Sequence, residues 1–317
     1  MNNPALTLAF AMAFGMIAQV LARHLRIPGI VLLLGTGLLL GPDALGIVYP
    51  SSLGDALPFI VGFAVAVILF EGGMNLRINR IRREGKTIRQ LITTGALVTA
   101  LGGTVTAKIF LGWDWRISLL FGVIVIVTGP TVITPLLRRL KLRRSVSTVL
   151  EAEGVLLDAI GAVIAVVALE IALSPSGLSF LTGLFHIITR LIVGSAIGAA
   201  GGFLLAFLLR FRNLIPEGLE NVFTLSLVFA LFQGANSISP ESGIVAVTAA
   251  GLVVGNMKTH IHRELREFEE QMTVLLIGML FILLAADVRL IEVTELGWGG
   301  IITVTILVCV LRPLNVY

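Results

Sequence analysis

Residues 117–172 read ISLLFGVIVIVTGPTVITPLLRRLKLRRSVSTVLEAEGVLLDAIGAVIAVVALEIA. Two apolar blocks flank a basic stretch, and each is about as long as the α-helix needed to cross roughly 30 Å of hydrocarbon. Neither block is clean. The first carries Thr128, Gly129, Pro130, Thr131, Thr134 and Pro135 where mid-membrane depth would fall, and the second carries Glu151, Glu153 and Asp158. Proline removes a backbone donor and clashes with the carbonyl four residues back, so Pro130 and Pro135 predict a span broken near its middle. In lipid a break is tolerated only where the freed carbonyls line an enclosed or wet cavity. A mid-span acid beside a broken helix therefore predicts a cation site inside a helical bundle.

The same alternation of apolar blocks and charged breaks runs through all 317 residues. The chain is 56% hydrophobic and 13% charged, with a mean hydropathy of +1.00, whereas a soluble domain carries about 25% charged residues. A water-soluble globule is excluded, and the absence of ten-residue strand alternation excludes an outer-membrane barrel. What remains is an all-α, multi-pass membrane protein. Eleven spans are predicted, at about 5–22, 28–46, 55–76, 90–111, 117–137, 148–172, 180–209, 219–236, 240–256, 270–286 and 297–317. The first has no basic leader and no small-residue cleavage site, so it reads as a retained span. Cys309 is the sole cysteine and lies in an apolar run, which leaves neither a disulfide framework nor a cysteine metal site.

The basic residues support the count. Arg23 and Arg26 follow span 1, Arg77 to Arg89 follow span 3, Arg138 to Arg144 follow span 5, Arg210 and Arg212 follow span 7, and Lys258, Arg263 and Arg266 follow span 9. The opposite loops carry Asp43, Asp55, Asp114, Glu241, Glu292 and Glu295 with few cations. Excess Lys and Arg on alternate loops predicts that those loops are cytoplasmic and that the N-terminus is outside, in a bacterial inner membrane. The pI of about 9.7 is explained by these loops, and no nucleic-acid partner is expected. The chain ends within span 11, at Asn315, Val316 and Tyr317, which predicts further sequence in the native protein.

Charged side chains inside spans are costly and mark function by default. Asp158 lies about 15 Å from the cytoplasmic start of span 6 at 1.5 Å per residue, near the bilayer midplane. Gly154, Gly161 and Ala165 share its helix face, so another segment can approach closely. Glu153 and Arg312 fall at matching depth on spans 6 and 11, which predicts a structural ion pair. Glu71 ends span 3 beside Gly72 and Gly73, within snorkelling reach of the cytoplasm, and is a secondary candidate with Glu151. Arg190 and His186, one turn apart on span 7, are expected to snorkel together. His260 and His262 stand among glutamates in a cytoplasmic loop and are candidate pH sensors. Glycines four apart (Gly37 and Gly41; Gly194, Gly198 and Gly202; Gly251 and Gly255) indicate tight helix packing. No phosphate loop, metal-ligand spacing or nucleophile triad is present, so the chain is not expected to be an enzyme or to hold a cofactor.

With these residues assembled, the sequence resembles the monovalent cation/proton antiporters of the NhaP-type branch. The matching stretches are PGIVLLLGTGLLLGP from Pro28, FEGGMNL from Phe70, TGPTVITPLLR from Thr128, EAEGVLLDA from Glu151, SGIVAVTAAG from Ser242 and RPLNVY from Arg312. The resemblance implies an NhaA/NhaP-like antiporter fold of thirteen spans with inverted repeats and a discontinuous span 5, of which eleven are present. It implies a homodimer and elevator-like exchange of Na⁺ or K⁺ for H⁺ at Asp158. Thr128, Gly129 and Thr131 would contribute to the ion site, and Glu153 would pair with Arg312. It also allows a regulatory nucleotide bound to a domain outside this chain. The family's usual Thr-Asp-Pro is here Thr128, Gly129 and Pro130, and its serine and asparagine beside the aspartate are Gly154 and Leu157.

Two other classes compete. A gated cation channel would need a continuous polar stripe, which only spans 5 and 6 approach. An intramembrane enzyme on lipid-linked substrates would need paired acids with a metal, or a nucleophile with a base, and Asp158 has no second midplane acid.

Overall fold

The computed structural model describes residues 3–127, 129, 142–173, 180–211, 215–216, 218–257 and 262–316. Among the described residues every regular element is helical. The principal helices are α1 (Pro4–Leu25), α2 (Gly29–Leu40), α3 (Ala56–Asn75), α4 (Gly85–Phe110, with a π turn at Leu91–Gly95) and α5 (Trp115–Ile124). They continue with α6 (Arg144–Leu173), α7 (Phe180–Arg210), α8 (Glu220–Ile238), α9 (Ser242–Asn256) and α10 (His262–Asp287). Last comes α11 (Gly297–Ile306), which passes through a π turn at Leu307–Leu311 into Arg312–Val316. Eight of these helices are long and apolar enough to cross a membrane, and α2, α5 and α9 are shorter apolar helices. The protein is an integral, multi-pass membrane protein.

Local chemistry sets the helix ends. Asn3 caps α1 by accepting from the Ala5 amide at 2.9 Å, with Pro4 at the first helical position. Arg26 closes the helix in the left-handed region at φ 57°. Asp114 accepts from the Arg116 amide and starts α5. Within the helices, hydroxyls that lipid would leave unsatisfied turn back to carbonyls one turn earlier, as Thr104 to Ala100 and Thr248 to Ile244 do.

The helices form two groups. In the larger, α9 is the central helix, packed against α3, α7 and α8, while α10 joins α1, α2 and α3. Glycine lets these backbones touch. A Cβ at Gly198 would lie 2.7 Å from the Ala246 Cα, one at Gly194 would meet the Ser242 carbonyl, and one at Gly255 would strike the Met74 backbone. The four-residue glycine spacing thus maps onto direct helix contact. The smaller group comprises α4, α5, α6 and α11, with Gly122 of α5 pressed onto Ala100 and Thr104 of α4. α6 bridges the groups through contacts with α3, α7 and α9.

Candidate functional site

The site is built on α6 and on the segment that follows α5. α5 stops at Ile124. The amides of Ile126 and Val127 bond the carbonyls of Val123 and Ile124 in a tight turn, and Gly129 lies in irregular backbone. A proline at 130 would clash with the Ile126 carbonyl in a continuous helix, so the helix cannot run on through this stretch. Thr128, Thr131 and the remainder of span 5 as far as residue 141 lie outside the described residues, as does His260. His262 opens α10, and its side chain is not described.

Asp158 is half-buried on α6. Its carboxylate has no hydrogen-bond or ion-pair partner among the described residues. Three residues on, Gly161 lies against the Val127 side chain, where a Cβ would come within 2.7 Å of its Cγ2. The small-residue face of α6 therefore brings the turn after α5 up against the face that carries Asp158. One acid and a stretch of non-helical backbone meet there, with no counter-charge among the described residues. This arrangement can hold either a proton or a hard monovalent cation, with backbone carbonyls available as further oxygen ligands.

Five residues towards the N-terminal end of α6, Glu153 is buried and its Oε1 lies 3.6 Å from the Arg312 Nη1. The structure thus joins the two charges that matching depth had paired. Arg312 is half-exposed, with 44% of its side-chain surface open. It borders an apolar cleft of about 190 Å³ lined by Thr99, Val125, Leu307 and Leu311. Glu151 accepts from the Ser147 hydroxyl at 3.2 Å near the start of the helix. Glu71 belongs to the other group of helices, where the Asn75 amide bonds its Oε1.

One expectation fails. Arg190 does not snorkel with His186. It is buried, and its Nη2 lies 2.7 Å from the Oε1 of Glu170 on α6, because a carboxylate within reach outweighs the longer path to the interface. Glu170 is not among the charged candidates that the sequence singled out in span 6. Glu269, one of the glutamates near His260 and His262, is 1% exposed, with neither carboxylate oxygen hydrogen-bonded among the described residues. The helical period signals its burial: Leu265, Glu269, Thr273, Leu276 and Leu280 form one buried stripe.

With this geometry in view, comparison with known proteins is decisive. The family model described as sodium/hydrogen exchanger, transmembrane, matches residues 9–317. The chain belongs to the sodium/hydrogen exchanger family. The Na⁺/H⁺ antiporter NhaS2 of Synechocystis is 28% identical over 264 residues, covering 81% of this chain and 46% of that protein. The K⁺/H⁺ antiporter NhaP2 of Shewanella oneidensis is 28% identical over 312 residues, covering 98% of this chain and 54% of that protein. The chain thus spans about half the length of these curated relatives. The sodium proton antiporter MjNhaP1 of Methanocaldococcus jannaschii superposes with a TM-score of 0.82 at 25% identity, over 97% of this chain and 76% of that one. The fold is that of the NhaP antiporters, and the exchanger family consists of transporters rather than enzymes.

Proposed function

We propose that the chain is the membrane domain of a secondary antiporter that exchanges Na⁺ or K⁺ for H⁺, with Asp158 as the shared carrier. The supporting observation is the position of Asp158: half-buried on α6, with no partner among the described residues, and facing the non-helical turn at Val125–Val127. A carboxylate can bind a cation only when ionised and carries no charge once protonated, so the two substrates exclude each other at one group. Thr128, Gly129 and Thr131 would add oxygen ligands, and Glu153 with Arg312 would fix α6 against α11. One carboxylate exchanging one cation for one proton makes the cycle electroneutral. Elevator-like movement of α4, α5, α6 and α11 against the larger group would expose the site alternately, in a homodimer. In this reading the basic loops, Arg77 to Arg89 among them, would lie in the cytoplasm and the N-terminus outside.

The test is flux in proteoliposomes made with the whole native protein. An imposed pH gradient should drive radioactive Na⁺ or Rb⁺ uptake that is insensitive to membrane voltage. Below the ionisation range of the carrier, apparent cation affinity should fall about tenfold per pH unit, since only the ionised form binds. Asp158→Asn removes both charge and titration, so exchange should vanish while the protein still inserts. Exchange by the Asn variant with an unchanged pH profile would move the carrier to another acid, Glu153 or Glu71.

A further inference from the structure

The chain between α3 and α4 is not a tight turn. α3 ends at Asn75, a short helix Ile78–Arg83 follows, and α4 begins at Gly85. The apolar residues of this stretch turn inward. Leu76 and Ile88 are buried, and with Ile81 and Ile92 they pack on Val149, Ala152, Val155 and Leu156 of α6 and on Leu252 of α9. The charged residues between them are thereby turned outward. Arg80, Arg82 and Arg83 on the short helix and Lys86 and Arg89 in the first turns of α4 are all exposed. α6, which packs against both stretches, adds Arg143 and Arg144 at its start, also exposed.

These cations are uncompensated. The sole acid between Arg77 and Gln90 is Glu84, there is none from Leu142 to Leu150, and no acidic side chain pairs with any of the exposed cations among the described residues. Arg77 differs: it is half-buried, and its Nη1 donates to the Gly255 carbonyl at 2.7 Å, which joins α3 to α9. The exposed cations also fall at one boundary. They stand between the end of α3 and the first turns of α4 and α6, three helices long and apolar enough to cross a membrane, so they lie where hydrocarbon gives way to headgroups. Leu142 and Val146, flanking Arg143 and Arg144, are 42% and 44% exposed. Unpaired cations beside open apolar side chains fit a phosphate with an acyl chain beneath it. A soluble polyanion would leave the apolar part bare and would have to displace lipid to reach the charge.

We propose that these residues form a basic collar that binds the headgroups of anionic phospholipids. The guanidinium fork of arginine can take two oxygens of one phosphate. Basic residues on a loop orient the chain in the membrane even when nothing holds them in place. Here the packing of Ile81 and Ile88 on α6 fixes them into a surface before any lipid arrives, so less ordering is required on binding. Lipid binding at this collar is independent of the antiporter reading.

The test uses the whole native protein in detergent with equal amounts of phosphatidylglycerol and phosphatidylcholine of the same acyl chains, retained lipid being counted by native mass spectrometry. Wild type should retain phosphatidylglycerol preferentially. A cation near an anionic surface is worth about fivefold in affinity, so Arg80→Gln with Arg83→Gln should lower that preference roughly tenfold or more. Lys86→Gln with Arg143→Gln, both exposed, should do the same and decides the matter if the first pair folds poorly. Arg23→Gln with Arg210→Gln removes the same charge from exposed positions on two other basic loops and should leave the preference unchanged. A readout in detergent does not depend on the direction in which a variant inserts. Equal retention of both lipids by wild type, or an equal loss from the Arg23 and Arg210 pair, overturns the proposal. So does a preference that survives about 1 M salt, where the Debye length is about 3 Å. Displacement of phosphatidylglycerol by a lower concentration of polyglutamate would assign the surface to an acidic polypeptide and overturns it as well.

Discussion

The two groups of helices are held together by different means. Around α9, backbone lies on backbone: Gly73 against Thr248 and Leu252, Gly251 and Gly255 against Phe70 and Met74, and the glycines of α7 against α9. Gly15 and Gly278 do the same between α1 and α10. In the group that carries Asp158, glycine likewise seals α4 to α5 at Gly122 and α11 to α4 at Gly299, but the joint between α6 and α11 is polar. α11 rests on α4 through Leu307 and Leu311, has Thr303 as its one buried residue among those described in Gly297–Ile306, and is tied to α6 by the Glu153–Arg312 pair. In lipid there is no hydrophobic drive between helices, so close van der Waals contact secures a fixed joint while charge pairs secure one that can be remade. The glycine-sealed group around α9 forms a frame, and the joint of α6 to α11 rests on charge.

The largest test of that contrast is the ion pair. Glu153 is buried whereas Arg312 is half-exposed, so the two single substitutions are unequal. Arg312→Gln strands a buried carboxylate and should cost roughly 3 kcal/mol of stability, the lower end for a broken buried pair. Glu153→Gln leaves a cation that water can reach and should cost less, on the order of 1 kcal/mol. The double variant should lose less than the sum of the two, as read from thermal unfolding in detergent. Strict additivity would show that α11 is held by its apolar contacts alone.

A smaller effect is expected from the frame. Gly198→Leu drives a side chain into the Ala246 backbone, which has no rotamer to give, and overpacking of this kind costs roughly 1–3 kcal/mol. Gly234 on α8 has nothing within 4 Å of its Cβ position, so Gly234→Ala should be neutral or slightly stabilising. If both variants unfold at the wild-type temperature, glycine contact is not what closes the frame.

This contrast also governs how much the sequence discloses. The frame was legible because four-residue glycine spacing and 20-residue apolar blocks are local patterns. Asp158, Glu153 and Arg312 stood out as charges in apolar surroundings, and depth alone paired the last two. Glu170 did not stand out, since an acid three residues from a helix end looks solvated until α7 is seen beside it. Hydropathy continues through Val125–Val127, whereas α5 ends at Ile124, because a proline at 130 bars a continuous helix through Ile126 without changing apolarity.

Glu269 gives the smallest effect and the sharpest sign. It lies in the frame, on the buried stripe of α10, and neither carboxylate oxygen has a partner among the described residues. The neighbouring Arg266 is directed elsewhere, its Nη2 towards the Met74 carbonyl at 3.3 Å. A buried polar group without a partner costs free energy that an apolar side chain of similar volume does not incur. Glu269→Met should therefore leave thermal stability unchanged or raise it, by on the order of 1 kcal/mol. This is the reverse of Arg312→Gln, although both substitutions remove a charge from the membrane domain, because one strands a partner and the other strands none. A loss as large as that of Arg312→Gln would mean that Glu269 ties α10 to the frame through charge. The distinction between a part sealed by glycine and a part held by ion pairs would then fail at that helix.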